Sequence, residues 1–176
     1  MAMSDAEVRG WIEYTCECCG CPELADRISI VWSKRMTATA GIVGRKGYMY
    51  GPRSYEIKFS VGLFENATPA EREQTVIHEV CHACDDHLSP NGWSSSEEGH
   101  GYSWRKLMRA CGLSPDRFHS ISRKGLVDQY IYKCPKDCHE FKVGVRKHNN
   151  IQRGRERICR SCRGRIEWTG DVSRKV

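Results

Sequence analysis

No run of residues approaches the ~18 consecutive apolar side chains that a membrane span requires, so the sequence predicts no transmembrane helix. The opening residues, MAMSDAEVRGWIEY, carry acidic side chains and lack the apolar stretch of an export signal. The expected location is therefore intracellular: cytoplasm or nucleoid, or the nucleus in a eukaryote. No segment repeats, which argues against a solenoid. No clear disordered tail carries partner motifs, so a monomer with few protein partners beyond its substrates is expected. What the chain does not lack is cysteine, with 11 in 176 residues. Without an export signal a disulfide framework is disfavoured, and metal binding becomes the leading account of so many thiols.

Acidic residues are scarce in one place only. Residues 133–167 hold 11 basic and 4 acidic side chains, whereas residues 1–132 hold 15 basic and 17 acidic ones. The net charge of +6 thus comes from one segment, and a boundary is expected near Tyr132. A localised positive field favours a polyanion, nucleic acid above all. A solvated basic tail is the plainer reading, but the Cys pairs inside the segment argue for a folded unit.

Residues 5–15 read as a short helix with Val8, Trp11, Ile12 and Tyr14 on one side. Ile28–Trp32, Thr37–Val43 and Ser54–Val61 are β-rich and punctuated by Gly41, Gly44, Gly47 and Gly51-Pro52, which predicts antiparallel strands joined by turns. Thr68, Pro69 and Glu71 form a capping box with Pro at the first helical position, predicting a helix from about Pro69 to Asp86. A polar loop follows, then a helix over Tyr102–Cys111 that stops at Gly112. The expected order is one helix, three strands, two helices and a Cys-rich β module: an α+β chain.

On the capped helix lies His78-Glu79-Val80-Cys81-His82. Residues i and i+4 project from one helical face, so two imidazoles can bind one Zn²⁺. Glu79 lies about 100° round the helix, placed to act as a base without ligating. Zinc lowers the pKa of a water toward ~7, and a carboxylate can then take its proton. Two packed or surface histidines would be the bland alternative. Against it, Val76, Ile77, Val80, Ala83 and Cys84 mark the helix as internal.

A catalytic zinc needs a third protein ligand. His87 follows His82 by five residues, and Leu88 and Asp85 stand where a metzincin would place its His and Gly, so that pattern fails. Glu97 or Glu98 would make a His₂Glu site. His100 opens the next helix, and the loop from Leu88 to Gly99 is long enough to return it. Chemistry favours His100 but leaves the carboxylates open.

The succession HEVCHA, a Trp-containing polar loop, HGYSW and a C-terminal Cys module resembles the SprT/Spartan-like zinc metallopeptidases over about Ile28 to Trp168. The stretch GRKGYMYGPRSYEIKFSVGLFENATPAEREQTVIHEVCHA is similar to that family's strand leading into its metal helix. The resemblance implies a compact zincin-like fold with a small antiparallel sheet, His78, His82 and His100 as zinc ligands, and Glu79 as catalytic acid/base. It further implies proteolysis of DNA-associated or DNA-crosslinked proteins, a DNA-repair activity.

Cys134-x₃-Cys138 and Cys159-x₂-Cys162 give four thiolates in two tight pairs, the pattern of a zinc ribbon. A closed Cys₄ site is structural, and its metal supplies folding energy that a tiny core cannot. The x₃ spacing leaves open His139 in place of Cys138. Between the pairs, His139–Lys147 alternates toward β and Asn149-Asn150 suggests a turn. Lys142, Arg146, Lys147, Arg153, Arg155, Arg157, Arg160, Arg163 and Arg165 can track phosphates. Phe141 and Trp168 suit the ribbon core better than base stacking. With no sequence-reading motif, DNA binding should be sequence-tolerant.

Four thiols in six residues, Cys16, Cys18, Cys19 and Cys21, crowd a single tetrahedron and are expected to be semi-buried or redox-active, with a third metal the minor alternative. Cys81, Cys84 and Cys111 are expected to pack as small hydrophobes. His87, His119, His139 and His148 suit the surface or a supporting position around a ligand. Asp85 and Asp86 could orient a ligand His or simply be solvated. The resulting expectation is a metallopeptidase domain over 1–128, a basic zinc ribbon over 129–168, a flexible end over 169–176, and two Zn²⁺ ions, one catalytic and one structural. A DNA-binding adaptor with a non-catalytic zinc, or a hydrolase of a non-peptide bond, are the alternatives.

Overall fold

The computed structural model describes residues 3–46, 52–89, 99–116, 121–123 and 125–173. The chain divides into two compact units, Met1–Ser122 and Arg123–Val176. The division falls a few residues before the 128/129 boundary expected from sequence.

The first unit opens with α1 (Asp5–Cys18), which starts where expected, capped reciprocally by Ser4 and Glu7, and runs three residues past the expected end. Its Val8, Ile12, Thr15 and Cys16 are buried, whereas Tyr14 is exposed. A 3-10 turn (Pro22–Arg27) leads into β1 (Ile28–Ser33), followed by β2 (Gly41–Lys46) and β3 (Ser54–Ser60). The sheet order is β1-β3-β2, with β1 parallel and β2 antiparallel to β3.

The small sheet is therefore mixed, correcting the antiparallel expectation. Glycine turns signal reversals, but not which strands become neighbours. Residues 34–40 are not strand; they carry the chain past β1 to the far edge of β3. They are held there by Ser60, whose N–H donates to Ala40 O at 2.9 Å and whose hydroxyl donates to Met36 O at 2.6 Å.

Val61, expected to end β3, instead begins α2 (Val61–Asn66), capped by the Ser60 hydroxyl. Leu63 and Phe64 of this turn are buried, and Phe64 packs against Phe59 and Trp32 with ring centroids 5.0 and 5.2 Å away. Then comes α3 (Pro69–Leu88), with the Thr68–Glu71 capping box and Pro69 placed as the sequence predicts. Val76, Ile77, Val80, Cys81, Ala83 and Cys84 are buried along it.

The C-terminal carbonyls of α3 have no partners within the helix. The Arg53 guanidinium supplies donors, to Asp86 O and, at 3.3 and 2.9 Å, to His87 O and Ser89 O. Asp86 is buried rather than solvated: Tyr55 Oη donates to its carboxylate at 2.6 Å, and Arg45 Nε lies 3.4 Å away. Burial and then Asp86 push the Tyr55 hydroxyl pKa upward. The last helix of the unit, α4 (Tyr102–Ala110), stops at Cys111 and Gly112.

The second unit is a three-stranded antiparallel sheet, order β5-β4-β6, built from β4 (Gln129–Lys133), β5 (Glu140–Gly144) and β6 (Glu167–Ser173). Between β5 and β6 lies α5 (Val145–Gln152). Asn149 and Asn150 are thus inside a helix, not at a turn. His148 and Ile151, three apart on one helical face, are buried, and this packing outweighs the local turn preference of Asn. His148 is not a surface residue: it stacks on Tyr130 at 3.6 Å between centroids, and its Nδ1 meets Tyr132 Oη at 3.0 Å.

The tail expected to be flexible is strand as far as Ser173. The core of this unit contains Tyr132, Cys134, Ile151, Cys159 and Ile166, with Phe141 against it. Trp168 lies half-exposed over Tyr130 and His148. No described helix is long and apolar enough to cross a membrane.

Candidate metal centre

One turn of α3 puts His78 and His82 on the same face, and the residue before the last turn-in to α4 supplies His100. His78 Nε2 lies 3.2 Å from both His82 Nε2 and His100 Nε2. The three ligating atoms all lie within 4.8 Å of one another. A tetrahedral zinc with Zn–N bonds of 2.0–2.1 Å separates its nitrogens by about 3.3 Å, so this donor set fits that ion. The Glu97 and Glu98 alternatives, and His119, lie outside the described residues.

The three rings share a floor. Trp104 of α4 is fully buried, and its ring lies 4.8, 5.2 and 4.6 Å from those of His78, His82 and His100, stacked on His82 at 19°. Its indole N–H makes a long 3.5 Å contact to His78 O. Sequence reading did not single out Trp104; its position one helical turn after His100 was the available signal.

Burial, then the neighbouring His78 and His100, push the His82 pKa down to about 3. A hydrogen bond to the Gly99 backbone acts in the opposite direction. A backbone bond to one ring nitrogen leaves the other for a metal. Gly99 has φ +77°, a conformation that favours glycine.

Glu79 is 8% exposed, and burial pushes its carboxyl up to about 7. The backbone of Val43 in β2 hydrogen-bonds it and opposes the shift. Gly41, at the start of β2, is not a turn residue. A Cβ there would lie 2.5 Å from Glu79 Cγ and 3.0 Å from Cδ and Oε1. Only the missing side chain lets the edge strand lie against this carboxylate.

His87 is away from this group and pairs with Glu23 at 3.2 Å. In the second unit, Cys134, Cys138, Cys159 and Cys162 form a second group whose sulfurs lie within 4.8 Å of one another. Cys134 and Cys138 flank the β4–β5 turn, and the bridge between Ile158 and Arg165 closes the turn that holds Cys159 and Cys162. The Cys162 sulfur, 3.1 Å away, is the main cause that draws Cys134 down to about 6, toward the thiolate that metals bind. His139 is not in the group; its Nε2 meets Ser161 Oγ at 2.9 Å.

The residues named from sequence as phosphate contacts, Lys142, Arg146, Lys147, Arg153, Arg155, Arg157, Arg160 and Arg163, are all exposed. Lys142, Lys147, Arg157 and Arg160 line a groove of about 520 Å³ together with Phe141 and Ile158. Arg165 pairs with Glu156 at 3.5 Å.

A family model described as the SprT-like family matches residues 15–124, which contain the three histidines and Glu79. The chain belongs to the SprT-like family. Protein SprT of Pseudomonas fluorescens (strain Pf0-1) is 29% identical over 154 residues, covering 86% of this chain and 92% of that protein. Protein SprT of Pseudomonas aeruginosa is 31% identical over 122 residues, covering 68% and 72%. The SprT-like match thus covers most of the first unit, from residue 15 on, and the similarity to the Pseudomonas fluorescens relative extends to most of the chain.

Proposed function

We propose that this SprT-like chain is a zinc-dependent endopeptidase that acts on proteins held on DNA. The observation that carries the proposal is the convergence of three imidazole nitrogens on the helix that also presents a buried carboxylate. Zinc bound there would supply a Lewis acid for the scissile carbonyl and lower the pKa of water toward ~7. His82 stays neutral, as a ligand must, because burial and two neighbouring imidazoles disfavour its charged form. Glu79 takes a proton from the attacking water and gives it to the leaving amine. A carboxyl near 7 suits both transfers, although a nearby cation would favour its ionised form.

The edge position of β2 supports a peptide substrate. Its Val43 backbone already meets Glu79, so an extended chain pairing along that edge would pass the carboxylate. The four-thiolate group of the second unit would hold a structural zinc. Its exposed Lys and Arg side chains would bind DNA without sequence preference and so concentrate the enzyme near its substrates. The chain would act inside the cell as a monomer.

Glu79→Gln tests the chemistry. It should retain zinc and lose about 10²–10⁴-fold of the cleavage of a DNA-bound protein. Unchanged cleavage with zinc retained refutes the mechanism. Assays with and without single-stranded DNA at low salt test the second unit, and equal rates would refute DNA-directed proteolysis.

A further inference from the structure

Six cysteines outside both of these groups are buried in the first unit: Cys16, Cys19, Cys21, Cys81, Cys84 and Cys111. They come from three places in the chain: the end of α1 and the turn after it, the middle of α3, and the end of α4. As small hydrophobes they could have been spread through the core, each sulfur against carbon. Instead the sulfurs meet one another.

The sulfurs of Cys19, Cys81 and Cys111 all lie within 4.8 Å of one another, and Cys81 Sγ is 4.0 Å from Cys111 Sγ. Cys84, one turn on from Cys81, meets Cys19 but does not join that group of three sulfurs. Cys16 and Cys21 interact with each other and with Cys84 from behind.

We propose that Cys19, Cys81 and Cys111 form a three-thiolate site for a zinc ion in the core of the first unit. A tetrahedral zinc with Zn–S bonds near 2.3 Å places its sulfurs about 3.8 Å apart, close to the 4.0 Å found here. A disulfide requires about 2.05 Å, and a three-way convergence cannot be satisfied by bonds made in pairs. The limit on sulfur separation that groups these three cysteines also groups the four of the second unit. An all-sulfur donor set selects a soft or borderline ion such as zinc over magnesium or calcium.

Because all three thiols are buried where no substrate reaches, the site is structural. Its metal would tie α1 to α3 and α3 to α4. The last two carry or immediately follow the three histidines, with Cys81 adjacent to His82 and Cys111 closing the helix that His100 precedes. The metal would therefore hold His100 in register with His78 and His82.

The test begins with the full chain carrying His78→Ala, His82→Ala, Cys134→Ser and Cys159→Ser, which lacks both other groups. It should still bind one Co²⁺ per chain with an intense sulfur-to-cobalt charge-transfer band. A folded variant that binds none overturns the proposal. Should that variant fail to fold, the native mass of the wild-type chain against Cys81→Ala/Cys111→Ala decides. One metal fewer in the double variant supports the site, and equal metal content overturns it.

Discussion

Gly41→Ala is the sharpest test of how the carboxylate is held. The native φ of Gly41 is not in the left-handed region, so alanine meets no backbone penalty there. On backbone grounds the substitution should stabilise by about 0.4–1 kcal/mol, through a less flexible unfolded chain. The structure reverses that sign. The new methyl would lie 2.5 Å from Glu79 Cγ, closer than packed carbons approach, and the buried Glu79 has little room to retreat. Overpacking of this kind costs about 1–3 kcal/mol. Displacing a catalytic group by about 1 Å costs on the order of 10²-fold in rate.

Gly44→Ala, in the same strand, is the control: its nearest neighbour is Glu56 O at 3.9 Å, and it should be neutral or slightly stabilising. Denaturant midpoints and kcat/KM measured on both variants give the comparison. If Gly41→Ala is as stable as Gly44→Ala and cleaves within twofold of the wild type, the close approach of β2 to Glu79 is not a feature of the working enzyme.

Four further outcomes follow from the structure. The depressed pKa of His82 contributes stability that is complete above its unfolded value of about 6.5 and is lost as pH falls toward 3. Metal release followed with a chromogenic chelator should therefore rise through that window, and release independent of pH would contradict it. The raised carboxyl of Glu79 has the opposite sign: its contribution is present below about 4.5 and lost as pH rises through 7. Metal-free Glu79→Gln should accordingly lose that part of the pH dependence of unfolding. Trp104→Ala should cost about 3–5 kcal/mol by thermal or denaturant unfolding and loosen all three ligands, whereas an effect below ~1 kcal/mol would deny the indole its role as their floor. Arg53→Ala removes the donors from the last carbonyls of α3 and should cost about 1–3 kcal/mol; an unchanged denaturant midpoint would show that water replaces it.

Local rules made the helix of His78 and His82 legible in the sequence. A capping box, Pro69 at the first turn and an i, i+4 pair depend on a few consecutive residues, and the helix carries them onto one face whatever surrounds it. The two Cys pairs of the second unit are visible for the same reason, since each closes a short turn. Where local preference competes with packing, the prediction fails: Asn149 and Asn150 favour a turn, but burial of His148 and Ile151 makes the segment helical. The order of strands also escapes a local reading, because β1 and β3 become neighbours only through the path of residues 34–40.

What tertiary structure alone decided is what meets across the chain. It brings His100 to His78, sets Trp104 beneath three imidazoles, and lays Gly41 against Glu79. The opening count of eleven cysteines shows the same division. Read along the chain, the cluster at 16–21 is too crowded for one tetrahedron, and Cys81, Cys84 and Cys111 look like filler. Folding takes Cys19 from the first set and brings its sulfur to those of Cys81 and Cys111, because α1, α3 and α4 share a core that no spacing in the sequence reveals.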